Sequence, residues 1–224
     1  MTPALGWVPV LVGTVFLLIR AQLRAKRRQV LVLKSLCTLI VIGVASMSVF
    51  RSVWNPTYTT GVLLGLVFSL VGDIAMVFEE KREALLVGLT SFLVAHIAYA
   101  ITFGVLGQVS AWDVLPAVLL AASGIGIYRL LSSNLGAMRW PVVAYIAAIS
   151  VMVSRGVSTL SSPAFDATQA AMIAAGAVLF YASDAILALC RFWRPWRYRR
   201  ISLTLYYTGQ LLIALAASFF GPAT

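Results

Sequence analysis

The sequence predicts an all-α protein, a polytopic transmembrane bundle of eight helices. Three observations carry that prediction. Of 224 residues, 61% are hydrophobic and only 11% charged, with a mean hydropathy of +0.96, which is more apolar surface than a soluble domain of this length can hide. The apolar residues gather into eight runs, each near the roughly 20 residues a helix needs to cross a bilayer. The basic residues alternate between successive connections as the positive-inside rule requires.

The runs cover residues 4–19, 30–50, 59–78, 84–104, 114–131, 141–157, 167–189 and 203–220. The first is short and contains Pro9. No basic residue precedes Arg20, so it reads as a membrane helix and not as a cleaved signal. The second carries Lys34 about one turn in, and the third carries Asp73. The fourth follows the charged stretch 79–83, and the fifth follows Asp113. The sixth opens on Pro141 and fades into Arg155-Gly156 and a Ser/Pro-rich loop over 158–163. The seventh follows Asp166 and carries Asp184. The eighth follows the basic-aromatic run 191–200. Connections are short, so neighbouring helices should pack antiparallel in a single transmembrane domain, 1–224. A weak internal repeat of 1–109 on 110–224 is visible. Gly72-Asp73 answers Ser183-Asp184, and His96 in the fourth helix answers Gln210 in the eighth.

The odd connections hold Arg20, Arg24, Lys26, Arg27 and Arg28, then Lys81 and Arg82, then Arg129 and Arg139, then Arg191, Arg194, Arg197, Arg199 and Arg200. The even ones hold only Arg51 and Arg155. Both termini are therefore expected on the non-cytoplasmic side. This distribution accounts for the net charge of +10 without nucleic acid. The run 191–200 reads as a loop at headgroup level, in contact with anionic membrane lipids. Cys37 and Cys190 have no CxxC spacing and form no disulfide framework; they read as free buried thiols.

Seven acidic residues exist. Glu79, Glu80 and Glu83 lie in the third connection, and Asp113 and Asp166 at outer helix ends, where water reaches them. Asp73 and Asp184 lie inside apolar runs, where a charge costs roughly 2.5–3.5 kcal/mol or more. At 1.5 Å per residue each is about 8 Å inside the basic end. Other polar groups share that layer: Lys34, Ser69 one turn before Asp73, His96 and Tyr99 one turn apart, and Tyr206, Tyr207 and Gln210 on one face. Taken singly, each has a plain structural explanation: an aspartate paired with a lysine, a satisfied core histidine, interfacial tyrosines. Polar groups converging from five helices favour an internal site. A lone histidine offers no metal-ligand set, and no GxSxG, HExxH or P-loop pattern occurs.

These motifs resemble the YhhN-type lysoplasmalogenase family of integral membrane hydrolases. The resemblance rests on Phe68-Ser69-Leu70-Val71-Gly72-Asp73, on Gly88 with Phe92-Leu93-Val94-Ala95-His96-Ile97-Ala98-Tyr99, on Tyr181-Ala182-Ser183-Asp184 with Arg191-Phe192, and on Tyr206-Tyr207-Thr208-Gly209-Gln210-Leu211-Leu212-Ile213. Lys34 matches a family lysine, although the family commonly has Lys-Pro and this chain has Lys34-Ser35. The resemblance implies cofactor-free hydrolysis of the vinyl ether of a lysophospholipid, lysoplasmalogen, to a fatty aldehyde and a glycerophospho-choline or -ethanolamine. It marks Asp73 and Asp184 as the essential acidic pair. The expected location is the bacterial cytoplasmic membrane, with the site toward the cytoplasmic leaflet.

Such chemistry needs a protonated carboxylic acid, because a vinyl ether is labile to acid and inert to base. Burial favours the neutral acid, and a second carboxylate nearby favours it further. Two carboxyls can then divide the acid and base roles. At this level either aspartate can be the acid, and Lys34 either holds one of them ionised or binds the lipid phosphate. His96, Tyr99, Tyr206, Tyr207 and Gln210 would orient the aspartates, hold water or contact the headgroup. The main rival is a proton-coupled transporter or lipid carrier, since membrane carboxylates also relay protons. An intramembrane aspartyl protease fits poorly: Leu70 stands where its Gly-x-Gly-Asp motif needs glycine, and no Pro-Ala-Leu occurs.

Overall fold

The computed structural model describes residues 3–194 and 199–220. Among the described residues eight helices are long and apolar enough to cross a membrane: α1 (Val8–Leu23), α2 (Arg27–Ser46), α3 (Pro56–Met76), α4 (Arg82–Leu106), α5 (Val114–Leu131), α6 (Arg139–Ser158), α7 (Ala167–Phe192) and α8 (Arg199–Ala216). Short 3-10 turns extend several of them, and no strand occurs among the described residues. The protein is an all-helical integral membrane protein. Residues 195–198 of the basic-aromatic run lie outside the described residues.

Local chemistry explains the helix starts. Asn55 caps α3 by accepting from Tyr58 N at 3.0 Å, and Pro56 fills the first turn, where its missing N–H costs nothing. Asp166 caps α7 by accepting from Thr168 N at 2.7 Å and Gln169 N at 2.9 Å. Gln169 Oε1 reciprocates on Asp166 N at 3.1 Å. Helices run further than hydropathy predicts at their basic ends: α2 begins at Arg27, α4 at Arg82 and α6 at Arg139, and α7 runs on through Arg191. Long basic side chains reach the headgroup layer while their backbone stays helical and internally paired. α6 continues past Arg155 to Ser158, one residue beyond the run 141–157. The Arg155 guanidinium pairs with Asp113 at 3.4 Å.

The least apolar of the eight spans occupies the middle. The span containing α8 has a mean hydropathy of 1.3, the lowest of the set, and is the most buried; that of α5 is the least buried. Lipid offers no partner to a hydroxyl or amide, so the helix rich in such groups is stable only inside the protein. Small residues bring neighbours close, as is usual between membrane helices. On α3, Gly61 faces Thr102, Gly65 lies under the Tyr99 ring and Gly72 under the Phe92 ring of α4. α7 and α8 meet backbone to backbone at Gly176 and Gly209.

The offset between corresponding elements is not constant: α1 and α5 begin 106 residues apart (114 − 8), and His96 and Gln210 are 114 apart (210 − 96). α2 and α6 begin 112 residues apart (139 − 27) and α3 and α7 111 apart (167 − 56). Asp73 and Asp184 are 111 apart (184 − 73), as are Lys34 and Tyr145 (145 − 34).

A Cβ at Gly176 would lie 2.7 Å from the Gly209 carbonyl oxygen. Gly176→Ala should therefore cost about 1–3 kcal/mol of overpacking strain. Gly126→Ala, where nothing lies within 4 Å, should be neutral or stabilise by up to about 1 kcal/mol through helix propensity. Unfolding of the two variants in detergent micelles measures the contrast.

Candidate active site

Both intramembrane aspartates line one cavity of about 140 Å³ at the basic end of the bundle. α3 carries Asp73 three residues before its end at Met76, and α7 carries Asp184 two turns before its end at Phe192. Lys34, Tyr145, Tyr206 and Arg191 share the lining, together with apolar side chains of α4 to α7 such as Leu89 and Ile146.

Asp73 is 1% exposed and has three partners. Lys34 Nζ lies 3.1 Å from Oδ1, an ion pair without hydrogen-bond alignment. Tyr206 donates to Oδ2 at 2.9 Å, and Thr38 Oγ1 donates to the same oxygen. Gln210 Nε2 in turn donates to the Tyr206 hydroxyl at 3.0 Å, and the Tyr207 hydroxyl donates to the Lys34 carbonyl at 3.0 Å. α2, α3 and α8 are thus tied together by one buried carboxyl and its partners.

Asp184 has a different surrounding. Tyr145 donates to its Oδ2. His96 Nε2 lies 3.0 Å from the Tyr145 oxygen and 3.3 Å from Asp184 Oδ2. Since Tyr145 spends its one proton on Asp184, the His96 Nε2–H is the donor to both oxygens. His96 Nδ1 is buried with no partner, and a proton there would be an orphaned donor. His96 Nε2 is therefore assigned as a hydrogen-bond donor. No lysine or arginine pairs with Asp184 among the described residues. The two clusters meet through Phe180, whose ring stands edge-to-face at 4.9 Å from His96 and 5.0 Å from Tyr206.

Of the residues singled out in the sequence, Asp73, Asp184, Lys34 and Tyr206 line the cavity. His96, Gln210 and Tyr207 stand behind as partners of those four. Ser69 and Tyr99 are buried off the lining. Two contributors were missed. Thr38 sits one turn beyond Lys34 on the same face of α2, a position the i, i+4 rule marks. Tyr145 lies nearly two turns inside α6, deeper than the interfacial layer where membrane tyrosines concentrate. Among the described residues no three His, Cys, Asp or Glu side chains gather as a metal set.

Fold and site define a class: an integral membrane protein of eight helices with two carboxyls on one internal cavity. The chain belongs to the YhhN family, whose match covers residues 29–217. It is similar to the lysoplasmalogenase TMEM86A of Bos taurus, 35% identical over 162 residues, 70% of this chain and 65% of that protein. TMEM86A of Homo sapiens is 32% identical over 160 residues, with the same coverage. The lysoplasmalogenase TMEM86B of Homo sapiens is 29% identical over 179 residues, 79% of this chain and 72% of that one. The match thus spans just under two thirds of the length of the TMEM86A relatives. No solved structure matches the chain.

The Asp73 ion pair sets a stability test. Lys34→Met leaves a buried carboxylate without its counter-charge and should cost about 3–5 kcal/mol. Adding Asp73→Asn removes that charge and should restore most of the loss. A double-mutant cycle of unfolding in detergent reads the coupling.

Proposed function

We propose that the protein hydrolyses the vinyl ether bond of a lysoplasmalogen, an alkenyl glycerophosphocholine or glycerophosphoethanolamine. The products are a fatty aldehyde and the glycerophospho-alcohol. One observation carries the reading: two intramembrane carboxyls line one cavity, and among the described residues only Asp73 is charge-paired with a lysine. The names of the relatives agree with it.

The slow step in vinyl ether hydrolysis is protonation of the alkene carbon, which yields an oxocarbenium ion. That step needs a general acid that stays neutral until the substrate arrives, and an anion to stabilise the cation. In this proposal Asp184 is the acid. Both of its hydrogen bonds fall on Oδ2, leaving Oδ1 to carry the proton. Asp73, which faces the Lys34 ammonium and two hydroxyl donors, is in this proposal the carboxylate that stabilises the oxocarbenium. Water adds to the cationic carbon and returns a proton to the Asp184 carboxylate. The hemiacetal then collapses to aldehyde and alcohol. Overall, one water is consumed, one C–O bond breaks, and the alkene carbon keeps the proton from Asp184. The hydrocarbon tail lies among Leu85, Leu89, Ile127, Val142 and Ile146. By the positive-inside rule the basic end of the cavity opens at the cytoplasmic leaflet of a bacterial cytoplasmic membrane.

Detergent-solubilised protein should release aldehyde from lysoplasmalogen with no ion gradient; a proton-coupled carrier would release none. Asp184→Asn and Asp73→Asn should each lower kcat by about 10²–10⁴-fold, and full activity in either variant removes the mechanism. Turnover in D₂O with immediate reduction of the product should leave one deuterium on the carbon next to the former carbonyl. Its absence would show that the alkene carbon is not the site of protonation.

A further inference from the structure

Two cationic side chains line the cavity among the described residues, Lys34 and Arg191. Lys34 is committed to Asp73 at 3.1 Å, so its charge is balanced inside the protein. Arg191 is not balanced in that way. Its guanidinium makes one hydrogen bond among the described residues, Nη2 donating to the main-chain carbonyl of Glu79 at 3.1 Å, and no carboxylate pairs with it. That single bond anchors the guanidinium to the α3–α4 connection and leaves the rest of its fork of five donors for a ligand. A guanidinium matches the geometry of a phosphate better than any other side chain.

Position sharpens the assignment. Arg191 follows Asp184 by seven residues on α7 (191 − 184). Seven residues are close to two full turns, so the two side chains share a face and their Cα atoms lie about 10 Å apart along the axis. Both line the same cavity. In an alkenyl glycerophospholipid the alkene carbon that accepts the proton is separated from phosphorus by a chain of seven bonds. In extended form that is roughly 8 Å, at the spacing per bond of an extended backbone. A substrate with its alkene carbon at Asp184 therefore has its phosphate within the sweep of the Arg191 side chain.

Resting on the hydrolase reading above, we infer that Arg191 is the phosphate-binding residue of the site. With Asp184 it forms a ruler along α7 that selects glycerol ethers bearing a phosphate at the far carbon. The ligand class is a phosphate ester on a three-carbon unit. Glu79 also lines this end of the cavity, but the inference uses only its main-chain carbonyl.

The test compares 1-alkenyl-glycerophosphoethanolamine with 1-alkenylglycerol, which lacks the phosphate, in the full-length protein and in Arg191→Gln, Arg191→Lys and Arg194→Gln. Arg194 is exposed, stacks on Trp193 at 5.1 Å and does not line the cavity, so it reports any general effect of removing a basic charge from this end. Arg191→Gln should raise KM for the phospholipid about tenfold or more, as expected for charged hydrogen bonds, with kcat little changed. Activity on the phosphate-free ether should stay within about twofold. Arg191→Lys should recover part of the loss, and Arg194→Gln should keep the native preference. An equal fall on both substrates, or the same loss in Arg194→Gln, overturns the assignment. Binding of the saturated, uncleavable ethers separates the two proposals. If the native protein cleaves neither alkenyl substrate yet binds the phosphate-bearing ether preferentially, and Arg191→Gln abolishes that preference, the hydrolase reading fails and the phosphate site stands. If the native chain shows no such preference, the phosphate site fails.

Discussion

A carboxylate inside an apolar bundle has to be paired or neutral, and much of this architecture follows from that requirement at Asp73. At 1% exposure the group has almost no access to solvent, so its partners come from the protein: a lysine and a threonine from α2 and a tyrosine from α8. Each partner fixes the rotation of its helix. The same requirement explains why the span with the lowest mean hydropathy is the most buried. In a soluble protein such a helix would face water. In a membrane its tyrosines and glutamine have partners only at the centre of the bundle.

The two carboxyls are held by similar but unequal sets of partners. Each accepts from a hydroxyl on the helix before its own, Thr38 on α2 or Tyr145 on α6. Each also has a partner on the last helix of the opposite half, Tyr206 on α8 for Asp73 and His96 on α4 for Asp184. At the position 111 residues apart where the first half has Lys34, the second has Tyr145. Among the described residues Asp73 therefore has a lysine beside it, and Asp184 has a hydroxyl and an imidazole. Unlike partners thus make two like carboxyls electrically different. That difference is what an acid–base division of labour between them needs.

The small residues belong to the same logic. Glycines under Tyr99 and Phe92 draw α3 and α4 together, and the Gly176–Gly209 contact does so for α7 and α8. The aspartate-bearing helices are thereby held rigidly against α4 and α8, which supply their cross-half partners. Phe180 then fills the space between His96 and Tyr206, joining the two clusters through close-packed rings.

Much of this was legible in the amino-acid sequence. Eight spans follow from run length and hydropathy, because crossing a bilayer sets a minimum apolar length. Asp73, Asp184 and Lys34 are conspicuous because a charge in that setting is expensive. Tyr206 stands out through its place on a polar face of an otherwise apolar helix. Tertiary structure alone decided who pairs with whom. Spacing along a helix gives a face, but the direction in which that face points depends on packing against neighbours distant in the chain. Hence Lys34 rests on Asp73, His96 serves Asp184 across the bundle, and Ser69 and Tyr99 drop behind the cavity wall. Tyr145 carried no charge to betray it, and its role exists only because α6 turns it toward α7.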